Sequence, residues 1–498
     1  MGVLTSILSL HPFLFIVIYV ILKEFRRGRN FSGHGPPTYP VIGCLVSFYR
    51  NRNWLLDWYA DLLTQSPTNT IVVQRLGARR TIVTANPHNV EYMLKTNFDN
   101  FPKGKPFTEI LGDFLGHGIF NVDGELWRTQ RKFASHEFSA RSLKEFVMHT
   151  LEEEVGKRLL PVLESLSAEN QVVDLQELLG RFSFNVICKV TTGIIRCCLD
   201  PSVPTSPLAR AFDVASEISA KRGAAPLFII WKTKRWLGIG SERRLREAVE
   251  AIHNHVMEMI HERKTVNARG ETCGEDLLSR LISAGHEEVV IRDMVISFMM
   301  AGRDTTSATM TWFFWLLSYH PAIEKQVVEE IELKAAGTLE YESLKKLKLL
   351  KACLCESLRL YPPVPWDSKH ALVDDVLPDG TVVKTGDRVT YFPYGMGRME
   401  VLWGKDRFEF RPNRWFSEPD TKGGAMNKVD PFKFPVFQAG PRICLGKEMA
   451  FIQMKYAAAS ILGRFRIKPI SPDKPTFVPH LTAHMAGGLK VLVCKREN

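Results

Sequence analysis

Ten consecutive residues near the carboxyl end of this 498-residue chain restrict its fold and chemistry more than any other segment. Residues 437–446 read Phe-Gln-Ala-Gly-Pro-Arg-Ile-Cys-Leu-Gly. Gly440 and Gly446 let the backbone approach a flat macrocycle closely, and backbone N–H groups of the loop can point at the sulfur of Cys444. Arg442 can reach a propionate of that macrocycle. The arrangement suits a cysteinate that binds haem iron and favours cleavage of an O–O bond.

A buried structural cysteine is the simplest alternative for Cys444. However, the chain matches every fixed position of the spacing Phe-x-x-Gly-x-Arg-x-Cys-x-Gly. This spacing resembles the haem-binding loop of the cytochrome P-450 family. The resemblance implies that Cys444 is the axial ligand of the iron of haem b. It also implies four cofactor-binding residues in the loop, Phe437, Gly440, Arg442 and Gly446.

The longest helical pattern runs from about Val289 to Tyr319 and ends before Pro321. At 1.5 Å per residue such a helix is more than about 40 Å long. A second membrane span is the alternative, but charged residues such as Asp293 and Arg303 would be costly in lipid. The pattern therefore predicts a helix buried through the centre of a large domain.

A polar segment, Ala-Gly-Arg-Asp-Thr-Thr at residues 301–306, interrupts this helix. Ala301 and the glycine after it reduce side-chain bulk, and the hydroxyl of Thr305 can bond the carbonyl four residues back or a water. Taken alone, such residues are usually only a polar face. The segment resembles the distal oxygen site of the same family, which implies that Asp304 and Thr305 deliver protons to iron-bound dioxygen.

Two further motifs occur in the order that the family shows. Glu356 and Arg359 are three residues apart and can pair on one helix face; the resemblance implies that Arg414 joins them to brace the haem-binding core. Trp127 and Arg131 share a helix face at i,i+4 spacing, and by resemblance hold a haem propionate. A further propionate contact is expected after the Glu-x-x-Arg helix, at Lys369 or His370.

The remaining patterns predict a mostly α-helical chain with small β-sheets. Thr70–Val83 alternates β-branched and polar residues around Gly77, which indicates a hairpin. Helical periodicity prevails from Ala134 to about Ile282. Short strands are also predicted late in the chain, at Lys369–Val376, Thr381–Val383 and Thr390–Pro393. The fold class expected from the resemblance is a single large haem domain of the cytochrome P-450 type after an N-terminal transmembrane helix.

The N-terminus predicts a membrane anchor. Val3–Leu22 carries no formal charge and is long enough to span a bilayer, and basic residues follow it at once. A cleavable signal peptide is the alternative, but it would carry its basic residues before the apolar run. We therefore expect a signal anchor at 1–22, a basic and proline-rich linker at 23–40 and a catalytic domain at 41–498 on the cytosolic face of the endoplasmic reticulum.

Composition adds two constraints. The nine cysteines show no disulfide or metal-site spacing, which suits a reducing compartment. The net charge of +11 occurs without a nucleic-acid motif, so anionic lipid or an acidic protein partner explains it better. By resemblance that partner is NADPH–cytochrome P-450 reductase. Its docking face is expected on basic residues, namely Arg128, Lys132, Lys433 and Lys447.

Candidate pocket residues are apolar and predict a hydrophobic substrate, although each could equally belong to an ordinary core. They are Phe107, Phe114, Phe120, Ala301, Val364, Trp366 and Met485. The motif segments resemble plant ω-hydroxylases of lipids, which implies oxidation at the chain end of a fatty acid, an acyl–amino acid conjugate or a sterol side chain, with further oxidation to aldehyde or acid left open. Ala301 replaces the glutamate that binds haem covalently in a related animal group, so non-covalent haem is expected. An isomerase or dehydratase that does not use dioxygen, and a non-catalytic haem carrier, are the alternative functions.

Overall fold

A computed structural model of the chain describes residues 35–195, 198–225, 228–269, 275–335, 339–417 and 424–497. The predicted membrane anchor at 1–22 lies outside these residues. No helix within the described ranges is both long enough and apolar enough to cross a membrane. As the sequence predicts, the described chain is mostly helical with small β-sheets.

The fold is built largely from α-helices, connected by short 3-10 and π-helical turns. The helices are α1 (Leu45–Arg50), α2 (Leu55–Gln65), α3 (Pro87–Glu91), α4 (Gly104–Leu115), α5 (Gly124–Ser139), α6 (Arg141–Glu154), α7 (Leu160–Ala168), α8 (Leu175–Thr192), α9 (Pro207–Ala224), α10 (Phe228–Leu237), α11 (Ser241–Ala268), α12 (Leu277–Ser283), α13 (Glu288–Ser318), α14 (Pro321–Lys334), α15 (Tyr341–Lys346), α16 (Lys348–Leu360), α17 (Pro393–Met396), α18 (Glu400–Trp403) and α19 (Lys447–Leu462).

The strands are short and form separate small sheets. They are β1 (Thr70–Val73), β2 (Thr81–Thr84), β3 (Val172–Asp174), β4 (Asp367–His370), β5 (Asp375–Val376), β6 (Val382–Val383), β7 (Arg388–Tyr391), β8 (Phe465–Pro469), β9 (Phe477–Val478), β10 (His484–Met485) and β11 (Lys490–Lys495).

Helix α13 is the central helix, and its bounds differ by one residue at each end from the predicted ones. It packs against α8, α11, α16 and α19. Apolar side chains surround it on most sides, as expected for a helix inside a large domain. The next helix begins at Pro321, where the missing N–H costs no hydrogen bond. The prediction of a buried central helix is confirmed.

The largest sheet has the order β1-β2-β7-β4. The predicted hairpin is present, because β1 and β2 pair antiparallel. Strand β2 then pairs in parallel with β7, so this sheet joins two parts of the chain that are far apart in sequence. The run Lys369–Val376 is two strands rather than one. Its middle turns away because Asn100 Oδ1 accepts hydrogen bonds from the backbone N–H groups of Leu372 and Val373 at 3.1 and 3.0 Å.

Two hydrophobic clusters stabilise the fold. The larger cluster surrounds α13 and includes side chains of α8, α16 and α19. The smaller cluster lies between α2 and the four-stranded sheet. None of the cysteines in the described residues forms a disulfide.

Candidate active site

The loop around Cys444 is a tight turn that leads into α19. A 3-10 turn covers Gly440–Arg442, and the backbone N–H of Cys444 donates to the carbonyl of Phe437 at 2.8 Å. Gly440 has a φ of +65°, and a Cβ there would lie 2.0 Å from the carbonyl oxygen of Leu94. Glycine is therefore required at this position by the neighbouring backbone, which is a reason that the sequence did not reveal.

The sulfur of Cys444 receives donors from the first residues of α19. Desolvation raises the pKa of the Cys444 thiol, and hydrogen bonds from the backbone N–H groups of Gly446 and Lys447 oppose this effect. The residue nevertheless keeps exposed surface. The N–H donors favour the thiolate, which is the form that binds a metal.

Two guanidinium groups lie beside this loop. Arg442 donates to Asp123 Oδ1 at 2.6 Å and to the carbonyl of Val122 at 2.9 Å, and its guanidinium lies 4.5 Å from the ring centroid of Trp127. Arg131 forms no ion pair with a carboxylate among the described residues. Desolvation lowers the pKa of Arg131, and the charge of Cys444 opposes this effect only in part.

The residues around the loop fit haem b. The Nε of Arg442 is buried and has no hydrogen-bond partner among the described residues. A soft thiolate therefore lies near two guanidinium groups with unused donors, and guanidinium is well suited to binding carboxylates such as propionates.

Lys369 lies in a different environment from the one expected for a propionate contact. Its side chain is fully buried and pairs with Asp367 Oδ2 at 2.7 Å, while Lys103 pairs with Asp367 Oδ1 at 2.6 Å. Desolvation lowers the pKa of Lys369 to about 7, against the attraction of Asp367. Gln438 Nε2, in the Cys444 loop, donates to the same carboxylate at 2.9 Å. The Lys369 side chain thus helps to tie β4 to the loop, and its propionate contact stays a prediction.

The polar segment of α13 has two distinct sides. The Thr305 hydroxyl donates to the carbonyl of Ala301 at 2.7 Å, as the sequence suggested. Desolvation raises the pKa of Asp304 and Arg303 opposes it, although 28% of the Asp304 side chain remains exposed. The Asp304 carboxyl therefore stays partly exposed, while Arg303 also pairs with Asp213 at 2.7 Å.

The glycine in this segment has a role that the sequence did not indicate. A Cβ at Gly302 would lie 2.5 Å from Ile187 Cδ1. The missing side chain at Gly302 is therefore used for packing α8 against α13. That a ligand lies against the small residues Ala301 and Gly302 stays a prediction.

The ion pairs expected around Glu356 are present. Arg359 Nη2 and Arg414 Nε donate to Glu356 Oε1 at 2.8 and 2.9 Å. Trp415 Nε1 donates to Glu356 Oε2 at 3.0 Å, and the backbone N–H of Arg411 completes the set at 3.0 Å. The contribution of Trp415 was missed, although it follows directly after Arg414 in the sequence.

The predicted pocket residues on α4 and near α13 are apolar and differ in burial. Phe114 is fully buried and packs edge to face on Phe212, with ring centroids 5.6 Å apart. Phe107 is half-buried, and the Lys103 ammonium lies 4.3 Å from its ring centroid. Phe120 is also half-buried against the main core. Phe107 and Phe120 therefore keep part of their surface accessible.

The other predicted pocket residues follow α16 or lie near the carboxyl end. Val364 is half-buried, two residues before Trp366, which stacks on Phe392 with centroids 6.2 Å apart. Met485 is buried on β10, which packs against α13, and its backbone N–H donates to Gln176 Oε1 at 2.8 Å. The structure thus brings Met485 to the central helix and leaves Trp366 mainly in the sheet cluster.

Comparisons with known proteins agree with this site. The family model for cytochrome P-450 matches residues 34–491. The chain is 55% identical over 496 residues to cytochrome P-450 94B1 of Arabidopsis thaliana, and the alignment covers 99% of this chain and 97% of that protein. It is 45% identical over 468 residues to cytochrome P-450 94A1 of Vicia sativa, and that alignment covers 93% of this chain and 91% of that protein. The crystal structure of the cytochrome P-450DA haem domain superposes with a TM-score of 0.78 at 21% identity, over 93% of this chain and 97% of that chain.

The chain therefore belongs to the cytochrome P-450 family. More particularly, it is a monooxygenase of the plant group that includes cytochromes P-450 94B1 and 94A1. Its cofactor is haem b, and its electrons derive from NADPH through a reductase. Its substrates are hydrophobic. This assignment replaces the alternatives of an isomerase and a non-catalytic carrier.

Proposed function

We propose that this monooxygenase hydroxylates a hydrophobic lipid at the end of its chain. The observation that carries the proposal is the Cys444 loop, in which backbone N–H groups of Gly446 and Lys447 favour the thiolate and the buried Nε of Arg442 has no partner among the described residues. The substrate class is a fatty acid, an acyl–amino acid conjugate or a sterol side chain. The similarity to cytochromes P-450 94B1 and 94A1 supports a plant enzyme of this type.

Each residue of the site then has a defined task. The bound haem supplies activation of dioxygen. We assign Cys444 to holding it by the sulfur, with Trp127, Arg131 and Arg442 at the propionates. Desolvation raises the pKa of Asp304, which favours the protonated form of its carboxyl group. The Thr305 hydroxyl orients that proton, because its own hydrogen bond to a helix carbonyl fixes the position of Oγ1.

The choice of the terminal carbon requires a narrow approach, because a methyl group is intrinsically harder to oxidise than an internal methylene. We assign this restriction to Phe120 and Val364, which are half-buried. Replacing Val364 with Ala should move product towards inner carbons, by a discriminating free energy of about 1–3 kcal/mol. Mass spectrometry of products from lauric acid measures the shift, and Val401→Ala at an exposed site is the matched control. Mid-chain or ring hydroxylation by the wild type would contradict chain-end oxidation.

We also propose that residues 1–22 anchor the protein in the endoplasmic reticulum membrane, with 23–40 as linker and 41–498 as the cytosolic catalytic domain. Exposed apolar side chains on α10 support contact with lipid, since Ile229 is 68% and Trp236 84% exposed. Deleting residues 1–29 should weaken membrane attachment and leave haem content unchanged, as measured by flotation and by the absorbance of the haem. A truncated protein that is well expressed but binds no haem would contradict this division.

NADPH–cytochrome P-450 reductase is the electron donor that we propose. Lys132 and Lys447 are exposed and suit an acidic partner. Arg128 already pairs with Glu125, and Lys433 is half-buried, so these two contribute less to the expected docking face. The electron-transfer rate should therefore fall more for Lys447→Ala than for Arg128→Ala in stopped-flow reduction. Equal rates for both variants and the wild type would place the docking face elsewhere.

A further inference from the structure

One arginine of the central helix is shared between two carboxyl groups. Arg303 on α13 is buried, and its Nη2 pairs with Asp213 Oδ1 on α9 at 2.7 Å. The Nε of Arg303 lies 3.4 Å from Oδ1 of Asp304, the next residue of α13. Asp213 was not among the candidate site residues of the sequence, because it comes from a different helix. The structure therefore adds a second carboxyl group beside the predicted proton donor.

Two further contacts direct Arg303 towards α9. Its Nη1 donates to the carbonyl of Ala209, one turn before Asp213 on α9, at 3.3 Å. Its guanidinium also lies 5.2 Å from the ring centroid of Phe184 on α8, within the range of a cation–π interaction. The guanidinium is thus held between α8 and α9, and its shorter ion pair is the one with Asp213.

The two carboxyl groups compete for a single positive charge. A nearby opposite charge stabilises the ionised form of a carboxyl group, and the attraction weakens with distance. One guanidinium balances one carboxylate, so the second carboxyl group is favoured to keep its proton. Asp213 has the shorter ion pair and a side chain that is 55% exposed, whereas the Asp304 side chain is 28% exposed. Asp213 is therefore the better placed of the two to ionise.

The electrostatic surroundings agree with this division. Desolvation raises the pKa of Asp304, and the charge of Arg303 opposes this effect only in part. Desolvation also raises the pKa of Asp213, with Arg303 opposing it and the charges of Asp304 and of Glu177 on α8 adding to it. Arg303 is the positive charge that both aspartates share.

The other charged groups near Asp213 do not supply a second shared cation. Glu177 has its own counter-charge, because Arg181 Nη2 pairs with it at 2.6 Å. Desolvation lowers the pKa of His484 on β10, and the charge of Asp213 opposes this effect only in part. His484 is therefore neutral near pH 7, and a change at Asp213 acts on Asp304 mainly through Arg303.

We propose that Asp213 is a positioning residue for proton delivery at Asp304. The Asp213 carboxylate holds the Arg303 guanidinium against α9 and keeps it from forming a full ion pair with Asp304. The Asp304 carboxyl group then retains the proton that the Thr305 hydroxyl orients. This inference rests on the proposed role of Asp304 and extends the site to α9.

The direct test measures the protonation of Asp304 without turnover. Infrared difference spectra of the full-length holoenzyme, recorded over a series of pH values, follow the carboxyl C=O stretch. The band that is missing in Asp304→Asn belongs to Asp304. In Asp213→Asn the neutral amide no longer competes for Arg303, so the titration midpoint of the Asp304 band should fall by about one pH unit.

A second readout is the pH profile of coupling, measured as product formed from lauric acid per NADPH consumed. In Asp213→Asn, Asp304 should lose its proton at a lower pH, so the decline in yield with rising pH should move towards acid by the same interval. A merely structural role of Asp213 would instead lower the yield by a similar factor at every pH.

Matched variants show whether the effect passes through Arg303. Asp213→Glu keeps the charge and should restore most of the wild-type midpoint. Glu217→Gln is the control, because Glu217 lies one turn further along α9 and pairs with Lys221. In an Arg303→Met background, Asp213→Asn should cause no further fall of the midpoint. Each variant must keep the wild-type reduced CO spectrum, which reports an intact haem site.

The outcomes separate this inference from the proposed function. An Asp304 midpoint that is unchanged in Asp213→Asn overturns the role of Asp213 and leaves Asp304 as the proton donor. A fall of equal size in Glu217→Gln, or one that persists in the Arg303→Met background, also overturns it. If Asp304→Asn removes no titrating band, proton delivery by Asp304 fails and this inference fails with it. A fall that Asp213→Glu reverses and Arg303→Met abolishes supports the inference.

Discussion

Two buried charged sites of this protein differ in how completely their partners surround them. The Glu356 carboxylate accepts hydrogen bonds from two arginines, a tryptophan and a backbone N–H, and Glu356 and Arg359 have no exposed surface. The Asp304 carboxylate on α13 has Arg303 nearby, with 3.4 Å between Arg303 Nε and Asp304 Oδ1, and keeps 28% exposure. We call the fully buried site at Glu356 the closed site and the partly exposed site at Asp304 the open site.

The difference indicates which site stabilises the fold and which can exchange protons. A satisfied buried network holds its members in one arrangement, and removing one member leaves the others unpaired. An accessible carboxyl with a raised pKa can gain and lose a proton during a reaction. We therefore expect Glu356 variants to lose stability, and variants of the α13 segment to lose function while remaining folded.

The largest expected effect follows from Glu356→Gln. The neutral amide leaves Arg359 and Arg414 without a counter-charge, so the free energy of unfolding should fall by about 3–5 kcal/mol. Thermal unfolding of the holoprotein measures this loss. The control is Glu342→Gln, since Glu342 is an exposed residue that pairs with Lys345 on α15, and it should change stability by less than about 1 kcal/mol. If Glu356→Gln and Glu342→Gln had similar melting temperatures, the claim that the closed site stabilises the fold would be wrong.

Thr305→Ala should leave stability nearly unchanged and lower product formation about 10²-fold, because the hydroxyl that positions the proton is lost. NADPH consumption should continue, with peroxide in place of product. Thr309→Ala is a matched control, because the Thr309 hydroxyl donates to the carbonyl of Thr305 at 2.7 Å in the same way, one helical turn further on. If both variants uncouple equally, the effect arises from helix packing rather than from proton delivery.

The smallest expected effect concerns pH and Asp304. Desolvation raises the pKa of this carboxyl, so the ionised form is disfavoured in the folded state. Its contribution to stability is complete below the ordinary Asp pKa and is lost as pH rises through the raised value. Asp304→Asn should therefore match the wild type in acid and become the more stable protein as pH rises. Product yield in the wild type should decline over the same window, and the variant should lack that decline. If the stability and product yield of the wild type and of Asp304→Asn changed with pH in the same way, the claim that Asp304 exchanges a proton would be wrong.

The sequence predicted the parts of the site that depend on local spacing. The pairing of Arg359 with Glu356 and the bond from Thr305 to the carbonyl of Ala301 both follow from helical periodicity. The bounds of α13 follow from its apolar pattern and from Pro321 after it. The contact of Arg414 with Glu356 was expected only from resemblance, because no local pattern joins residues 58 positions apart.

The remaining features depend on pairing between distant segments. His370 and Arg388 lie opposite each other because β4 pairs with β7, and the parallel pairing of β2 with β7 leaves no signal in either strand. Lys369 is occupied by Asp367, to which Lys103 also binds from a different segment. The packing role of Gly302 depends on Ile187 in another helix. Such contacts require the tertiary structure.

The measurement that tests the central claim most directly is the CO-difference spectrum of Cys444→Ser. An alcohol is a far poorer soft ligand than a thiolate, so the reduced, CO-bound variant should lack the thiolate-type Soret band. Cys494→Ser, at a half-buried position on β11, is the matched control and should keep it. Loss of the band in the first variant alone is the predicted result. A thiolate-type band that survives in Cys444→Ser would show that another residue binds the iron and would contradict the account.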